Sequence, residues 1–324
     1  MIDFTGRTAL VTGGGSGIGR GIAEAFDKLG ARVAVAEIDR ARADAVRASL
    51  GADALVSVTD VRDTRQVDAL LTEVGQRYGR LDFLVNNVGD FLGIAKSLEE
   101  HTDEDFDALY ASNLRHLFQV TRAALPLMKK SGPGGSIINI STIEAFRGIP
   151  KCIVYSAFKA GVSGFTRSLA LDLGPSGIRV NEIAPETTET GQVKPSLWIP
   201  PKLQDHIPRW IPLGRFGEPA DAAGCAVFLA SELSSWVTGT TIHLDGGIAR
   251  RMGAGPIRRW LQVAASAVDR GRRARHLQRC CNARALIDRA LRVELGRDVG
   301  TADQVHFDAA LLQRRLQLAQ WLLA

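Results

Sequence analysis

Tyr155 and Lys159 lie four residues apart, a spacing that places both side chains on one face of a helix. A phenol is a weak base at neutral pH because its unperturbed pKa is about 10. A neighbouring ammonium group favours the phenolate, so we expect Lys159 to lower the pKa of Tyr155. Such a pair can take a proton from an alcohol, or return one to a ketone, while a cofactor handles the hydride.

A glycine-rich segment, residues 12–19 with the sequence TGGGSGIG, follows an apolar run and precedes a helical pattern. Glycines permit a tight turn and let the backbone approach a pyrophosphate, and the helix N-terminus offers free N–H groups to the anion. A flexible turn is the alternative, but the position between a strand and a helix argues against it. The predicted contacts of the cofactor in this segment are Gly13, Ser16, Gly17, Ile18 and Gly19.

Glu37 ends the second predicted strand, 24 residues after Gly13. A carboxylate at this position can accept hydrogen bonds from both hydroxyls of an adenosine ribose, and it repels a 2′-phosphate. Ser16 supplies no positive charge for such a phosphate, whereas Arg40 and Arg42 keep NADP open as an alternative. The sequence therefore favours NAD as the cofactor, and an exposed acid at a strand end is the plainer interpretation of Glu37.

Short apolar and β-branched runs alternate with longer amphipathic segments along the first 250 residues. Runs of four to six residues that are apolar on both faces are typical of parallel strands covered by helices. Strands are predicted over residues 8–12, 33–38, 54–58, 83–86, 136–141 and 179–183, and helices over 18–29, 65–78, 106–128 and 155–173. This alternation predicts an α/β fold, a doubly wound parallel sheet of Rossmann type.

The composition divides the chain near residue 249. Residues 250–324 hold 15 Arg and no Lys against 6 Asp and Glu, a net charge of +9, and the first 249 residues carry −4. Two runs in this basic segment, residues 283–295 and 307–323, have apolar side chains at helical spacing. We therefore predict one domain over residues 1–249 and an Arg-rich helical extension over 250–324, which is dispensable for the chemistry.

Neither an export leader nor a run of about 18 apolar residues occurs in the sequence, so a cytoplasmic protein without a membrane partner is expected. The four cysteines have neither metal-ligand spacing nor the pattern of a disulfide framework. We expect no metal site and interpret the cysteines as packing residues or free thiols. They are Cys152, Cys225, Cys280 and Cys281.

Over residues 5–247 the sequence resembles the short-chain dehydrogenase/reductase family. The resemblance rests on several motifs in order, of which the TGGGSGIG loop and the Tyr155-x-x-x-Lys159 element are the most prominent. It implies an oxidoreductase that transfers a hydride between NAD(H) and a secondary alcohol or ketone. In the family the lysine also holds the nicotinamide ribose, and the subunits often form a homotetramer, so a homo-oligomer (a dimer or a tetramer) is expected here.

The resemblance assigns further residues to the site. Asn113 matches an asparagine that anchors a water linking the lysine to solvent, and Asp60 and Val61 match contacts of the adenine. The loop after the fourth strand matches the one that lines the adenine ribose, with Val88 where alanine is more usual. The implied cofactor contacts in that loop and after the sixth strand are Asn86, Asn87, Gly89, Pro185, Thr188 and Thr190.

Two adjacent hydroxyls compete for the role of steadying the substrate oxygen. In the family that residue usually lies 13 positions before the tyrosine, which is Thr142. Neighbouring residues on a strand point to opposite faces, so only one of Ser141 and Thr142 can reach the site. Thr142 is favoured, and Ser141 is the alternative.

One departure from the family pattern follows the sixth strand, where Glu186 stands in place of a usual glycine after Pro185. Glu186 cannot copy a glycine at positive φ without strain, which leaves the local backbone open. The family keeps its substrate lid over residues 191–212, where this chain has five prolines together with Trp198 and Trp210. Apolar walls suit a hydrophobic substrate such as a hydroxysteroid, a cyclic alcohol or a 3-hydroxyacyl or 3-oxoacyl compound, although the tryptophans could equally pack the lid onto the body.

Two other functions are compatible with the sequence. A regulatory protein of the same fold could bind the cofactor without turnover, but the presence of Asn113, Tyr155 and Lys159 argues against it. The basic extension could bind nucleic acid, yet it contains no recognised binding module, and a solvated extension explains its charge more simply.

Overall fold

A computed structural model of the chain describes residues 2–190, 207 and 211–248. Contacts between Cα atoms divide the chain into Met1–Val268 and Asp269–Ala324, and every element described below belongs to the first part. The predicted extension over residues 250–324 and most of the predicted lid over 191–212 lie outside the described residues.

A seven-stranded parallel sheet forms the centre of the domain. Its strand order is β3-β2-β1-β4-β5-β6-β7, so the chain crosses from one edge back to the middle between β3 and β4. The three central strands β1, β4 and β5 are fully buried, as expected for a sheet covered on both faces. The strands are β1 (Thr8–Thr12), β2 (Arg32–Glu37), β3 (Leu55–Val58), β4 (Phe83–Asn86), β5 (Gly135–Ile140), β6 (Ile178–Pro185) and β7 (Thr241–Leu244).

The described residues form seven α-helices, six of which cover the sheet in two layers. Side chains of α1, α2 and α7 pack with one face of the sheet, and those of α3, α5 and α6 pack with the other. The helices are α1 (Gly17–Lys28), α2 (Arg40–Arg47), α3 (Thr64–Tyr78), α4 (Asp103–Tyr110), α5 (His116–Lys130), α6 (Ile153–Leu173) and α7 (Pro219–Ala230). Among the described helices, none has the length and apolarity needed to cross a bilayer.

The predicted doubly wound sheet is confirmed, and each predicted strand end lies within two residues of the observed one. The strand predicted over 136–141 ends one residue early, so Ser141 and Thr142 follow β5. The helix predicted over 106–128 is not continuous, because a π-helical turn at Ala111–Arg115 separates α4 from α5. The side-chain amide of Asn113 donates to the carbonyl oxygen of Leu109 at 3.0 Å, which explains why the regular ladder is interrupted there.

The carboxyl ends of β1 and β4 are adjacent, and the chain leaves them in opposite directions across the sheet. In open parallel sheets this switch point forms a crevice in which ligands bind. The glycine-rich loop follows β1 and the loop beginning at Asn87 follows β4, so the fold brings both to that crevice.

Candidate active site

The glycine-rich loop packs too closely against its surroundings for side chains to fit at two of its glycines. The backbone nitrogen of Gly13 donates to the oxygen of Ala36 at 2.7 Å, which draws the loop against β2. A Cβ atom at Gly19 would lie 2.3 Å from the oxygen of Gly13, and one at Gly15 would lie 2.6 Å from Oε2 of Glu37. These contacts are closer than real Cβ atoms make, so only glycine fits at these two positions of the loop.

Asn87 fastens the loop to the end of β4. Its side-chain Nδ2 donates to the carbonyl oxygens of Thr12 and Gly13 at 3.0 and 3.2 Å, and its backbone nitrogen donates to Oγ1 of Thr12 at 3.0 Å. Asn87 therefore fixes the shape of the glycine-rich loop at the carboxyl edge of the sheet.

Helix α1 begins directly after the loop, with Ser16 at its N-cap position and no capping hydrogen bond from the Ser16 side chain. Its first N–H groups are the type of backbone donor that binds phosphate. Ile18 packs against the hydrophobic core and holds the first turn in place. A cleft of about 570 Å³ opens beside this turn, where Gly17 and Thr190 form part of its lining.

Glu37 lies at the carboxyl end of β2 with only 3% of its surface exposed. Its Oε2 accepts a hydrogen bond from the backbone nitrogen of Gly15 at 3.1 Å, and its Oε1 accepts one from Asp39 at 3.1 Å. The guanidinium of Arg42 is 4.0 Å away. Each carboxylate oxygen retains a further lone pair, so Glu37 can still accept from a ribose hydroxyl.

Three other predicted cofactor residues differ in where their side chains lie. Asp60 accepts hydrogen bonds from the guanidinium of Arg62, which lower its pKa, and Val61 is buried beside it. Asn86 points into the core, where its Nδ2 donates to Thr121 and Asn139 at 3.0 and 2.9 Å. The Asn86 side chain therefore ties strands and helices together on the inside of the sheet.

Lys159 is buried at the centre of the site. Its Nζ donates to the carbonyl oxygen of Ile140 at 3.2 Å, and a Cβ atom at Gly89 would lie 2.3 Å from this nitrogen. Burial lowers the pKa of Lys159 to about 8, and the negative charges of Glu182 and Asp90 oppose that shift. The absence of a side chain at Gly89 is thus what makes room for the ammonium group.

Asn113 fixes the loop that carries Gly89. Its Nδ2 donates to the oxygen of Asp90 at 2.7 Å, and its Oδ1 accepts from the nitrogen of Asp90 at 3.1 Å. A Cβ atom at Gly89 would lie 3.2 Å from the same Oδ1, so Asn113 and Lys159 border one small space. The π-helical turn turns the asparagine toward that space.

The hydroxyl of Tyr155 hydrogen-bonds with Thr142, and the ammonium of Lys159 lies 6.0 Å from the centre of the Tyr155 ring. Ser141 instead turns its Oγ into a buried position where it has no hydrogen-bond partner among the described residues. Of the two hydroxyls that follow β5, the structure thus brings Thr142 to the tyrosine.

The pKa of Tyr155 is raised, in contrast to the expectation from sequence. Burial is the largest cause, and the negative charge of Glu144 adds to it, whereas the hydrogen bond between Tyr155 and Thr142 opposes it. The lowering expected from Lys159 is not found, because the tyrosine hydroxyl is desolvated and a carboxylate lies close by. Tyr155 is therefore a neutral phenol at pH 7.

The comparisons with known proteins agree with this geometry. A family model described as enoyl-(acyl carrier protein) reductase matches residues 13–249. The chain belongs to the short-chain dehydrogenase/reductase family. It is 38% identical over 246 residues to 3-oxoacyl-[acyl-carrier-protein] reductase FabG of Thermotoga maritima, which covers 75% of this chain and 98% of the relative.

Two other members of the family extend the comparison. D-threitol dehydrogenase of Mycolicibacterium smegmatis is 36% identical over 255 residues, which cover 76% of this chain and 95% of that protein. A crystal structure of 7α-hydroxysteroid dehydrogenase in complex with NADH and 7-oxoglycochenodeoxycholic acid superposes with a TM-score of 0.70. It is 32% identical and covers 76% of this chain and 95% of its own.

The sequence interpretation missed a charged cluster beside the family's catalytic motif. Nη2 of Arg147 lies 2.9 Å from Oε1 of Glu144 and 2.6 Å from Oε2 of Glu186. Oε2 of Glu144 in turn accepts a hydrogen bond from Oγ1 of Thr142. A glutamate two residues after Thr142 and an arginine five residues after it were the available signals, but neither residue type is informative without the loop geometry.

The backbone at Glu186 is unstrained. Among described residues other than glycine, only Leu92 and Lys151 have positive φ, so the suspected conflict with a left-handed glycine does not arise. The nitrogen of Glu186 donates to Leu244 at 2.9 Å, and its oxygen accepts from Oγ1 of Thr188 at 2.9 Å. Pro185 ends β6 directly before it, and the Glu186 side chain turns toward Arg147.

His116 is a second residue that the sequence interpretation did not single out. It begins α5 three residues after Asn113 and is 1% exposed. Burial lowers its pKa to about 3, and the positive charge of Lys159 adds to the shift. His116 is therefore uncharged at neutral pH.

Of the four predicted thiols, Cys152 and Cys225 are free and partly buried, whereas Cys280 and Cys281 lie outside the described residues. Burial raises the pKa of both described cysteines. Cys152 precedes α6 and lies close enough to Tyr155 to influence its pKa, so it belongs to the wall of the site.

Proposed function

We propose that this chain is an NAD-dependent oxidoreductase that transfers a hydride between the cofactor and a secondary alcohol or ketone. The observation that carries the proposal is the convergence of Tyr155, Thr142 and Lys159 at the carboxyl edge of the sheet, beside the loop of residues 12–19. At this point the oxygen of the reacting group would meet a proton donor, a second hydroxyl and a buried cation.

Tyr155 is the acid and base of the proposed reaction. Its phenol donates a proton to a ketone oxygen as the hydride arrives, and its phenolate takes the proton from an alcohol in the reverse direction. Thr142 directs a hydrogen bond at the same substrate oxygen. Lys159 holds positive charge near the phenolate, and Asn113 keeps the Gly89 loop in the shape that admits the ammonium group.

The residues of the crevice fit a dinucleotide. A bound NAD(H) supplies or accepts the hydride at its nicotinamide ring. The backbone of Gly13 to Gly19 and the N-terminus of α1 suit the pyrophosphate, and the buried Glu37 carboxylate suits the adenosine ribose hydroxyls. NADP is disfavoured because its 2′-phosphate would meet that carboxylate. The remaining proposed cofactor contacts are Asp60, Val61, Asn86, Asn87, Gly89, Tyr155, Lys159, Pro185, Thr188 and Thr190.

The proposed substrate is uncharged and has an apolar body. The apolar and aromatic sequence of residues 191–212, where the family carries its lid, supports this choice. The relatives' names range from a 3-oxoacyl reductase to a hydroxysteroid dehydrogenase and a threitol dehydrogenase, which supports an alcohol or ketone as the substrate.

We also propose that the protein self-associates and that it is located in the cytoplasm. Several large apolar side chains are exposed on the described surface, among them Leu171 at 82% and Trp236 at 98%. Exposed apolar surface of this kind favours burial against another copy of the chain. A dimer or tetramer is therefore the proposed form.

The proposal is tested by Tyr155→Phe, with Tyr110→Phe as the matched control that deletes a hydroxyl on α4. Turnover of a panel of ketones and secondary alcohols should fall by about two to four orders of magnitude in Tyr155→Phe while NADH binding persists. The control should retain wild-type rates. Near-normal turnover by Tyr155→Phe would remove this residue from the mechanism.

Two results would favour the alternative functions. A wild-type protein that binds NADH but turns over no member of the panel would be a cofactor-dependent regulatory protein. Salt-dependent retention of nucleic acid by the full chain, but not by residues 1–249, would assign a binding function to the basic extension.

A further inference from the structure

Glu144, Arg147 and Glu186 form a cluster of charge that joins two neighbouring strand ends. Glu144 lies in the short helical turn after β5, and Glu186 follows β6, its parallel neighbour. Arg147 bridges the two carboxylates at 2.9 and 2.6 Å. The side chains remain 15%, 25% and 9% exposed, respectively, so the cluster is largely desolvated but retains an open face.

The cluster is linked to the reacting centre by the hydroxyl of Thr142. Oγ1 of Thr142 donates to Oε2 of Glu144 and lies in hydrogen-bond contact with the Tyr155 hydroxyl. A hydroxyl carries one hydrogen. Thr142 therefore cannot donate to Glu144 and to the oxygen of a substrate ketone at the same time.

A substrate with one oxygen has nothing to offer Glu144 in exchange. Taking the Thr142 hydrogen away would leave a largely buried carboxylate oxygen short of a donor, which is costly. A substrate with a second hydroxyl on the neighbouring carbon can donate that hydroxyl to Glu144. Thr142 is then free to turn its hydrogen to the reacting oxygen.

The negative charge around Tyr155 further restricts the class of substrates. Glu144 and Asp90 both raise the pKa of Tyr155, which shows that their negative charge is felt at the tyrosine hydroxyl. Arg147 is shared between two carboxylates, and its positive charge is offset within the cluster. A carboxylate or phosphate next to the reacting carbon would be repelled at this point.

We infer that Glu144 determines specificity and that the preferred substrate is an uncharged vicinal diol, or the corresponding α-hydroxy ketone. The inference rests on the proposed function and names the substrate class of the same site. Glu144 accepts the second hydroxyl of the substrate, and Arg147 and Glu186 hold the Glu144 carboxylate in position.

The test uses pairs of substrates that differ by one hydroxyl. Cyclohexane-1,2-diol and cyclohexanol are oxidised with NAD⁺, and 2-hydroxycyclohexanone and cyclohexanone are reduced with NADH. Wild-type enzyme should prefer the dihydroxy or hydroxy-keto member by about 10-fold to 100-fold in kcat/KM, the range of one hydrogen bond to a charged group. In Glu144→Ala the ratio should fall to about 1, because the diol or hydroxy ketone loses its acceptor and the monofunctional member no longer competes with Glu144 for the Thr142 hydrogen.

Two further variants make the result specific. Glu144→Gln keeps an acceptor without the charge and should retain an intermediate preference. Glu73→Ala removes an exposed carboxylate on α3 and should leave the ratio at the wild-type value. Thermal unfolding and NADH binding establish that each variant is folded.

The outcomes distinguish the two proposals. An unchanged ratio in a folded Glu144→Ala, or a wild-type preference for the monofunctional members, would overturn the inference while leaving the oxidoreductase intact. No turnover of any member by a wild-type protein that binds NADH would count against the proposed function itself.

Discussion

Oε2 of Glu37 accepts a hydrogen bond from the backbone nitrogen of Gly15 at 3.1 Å. This bond couples the residue proposed to read the adenosine ribose to the loop proposed to hold the pyrophosphate. The carboxylate is almost completely buried, and Oε1 is held in turn by the nitrogen of Asp39. The position of the negative charge is therefore fixed by backbone groups before any ligand arrives.

Replacement of Glu37 is expected to change cofactor preference. Glu37→Ala removes both the repulsive charge and the tether of Gly15, so kcat/KM with NAD should fall while discrimination against NADP relaxes by about 10-fold or more. Steady-state kinetics with both cofactors measures the two effects.

Glu37→Gln removes the negative charge but keeps part of the hydrogen bonding to the loop, because its amide oxygen is still one acceptor for the two backbone N–H groups. It should relax the discrimination against NADP with a smaller loss of NAD use than Glu37→Ala. A wild-type enzyme that already prefers NADP would show that Glu37 does not read the ribose.

The second prediction distinguishes the adjacent hydroxyls after β5. Thr142→Val keeps the shape of the side chain but deletes the hydrogen bond to the reacting oxygen, so kcat should fall by about 100-fold or more. Thr142→Ser should restore most of the activity. Ser141→Ala should change kcat little because the Ser141 hydroxyl has no partner among the described residues.

If Thr142→Val retained wild-type rates and Ser141→Ala lost activity, Ser141 and not Thr142 would be the residue that bonds the substrate oxygen. Thermal unfolding of each variant serves as the control, since both residues are buried beside β5.

Much of the fold was predictable because its signals are local. Apolar runs marked six of the seven strands, and the glycine-rich loop marked the first crossover, since only small residues fit where a Cβ atom would lie 2.3 Å from a carbonyl oxygen. The resemblance to the family, in which the hydroxyl residue usually lies 13 positions before the tyrosine, favoured Thr142 over Ser141. The break in the helix was not predictable, because the Asn113 amide that bonds to Leu109 is also held by hydrogen bonds to Asp90, 23 residues away.

The parts of the site that escaped prediction depend on tertiary contacts. Glu144 and Glu186 are 42 residues apart in the chain and meet only because β5 and β6 are neighbours. The raised pKa of Tyr155 follows from burial and from the negative charge of Glu144, which the helical spacing of Tyr155 and Lys159 could not reveal. The prediction that residues 250–324 are dispensable stays a prediction, to be tested by a chain that ends at Ile248.

The third prediction concerns the pH dependence of both directions. Alcohol oxidation needs the phenolate of Tyr155, and burial and Glu144 raise its pKa, so kcat/KM for oxidation should rise with pH on the alkaline side of neutrality. Ketone reduction needs the phenol and should be level near pH 7. Glu144→Gln removes a negative charge, which lowers the Tyr155 pKa and moves the rise in oxidation to lower pH.

Glu73→Gln, a change of the same kind on exposed α3, should leave the pH profile in place. A profile of Glu144→Gln that coincides with the wild-type profile would show that the Glu144 charge does not reach Tyr155 during turnover.

The last prediction concerns stability and rests on His116. In the folded protein burial lowers the pKa of His116 to about 3, whereas an unfolded histidine titrates near 6.5. The unfolded state therefore binds the proton first, and the free energy of unfolding should decrease as pH falls from 6.5 toward 3, by up to about 1.4 kcal/mol per pH unit from this residue. His116→Leu removes the titration, so its stability should decline less between pH 6.5 and pH 4.5 than that of wild type. Urea unfolding at several pH values measures the difference, and the other titrating groups, common to both proteins, cancel in the comparison. Parallel stability curves for the two proteins would mean that His116 gains its proton equally in the folded and unfolded states.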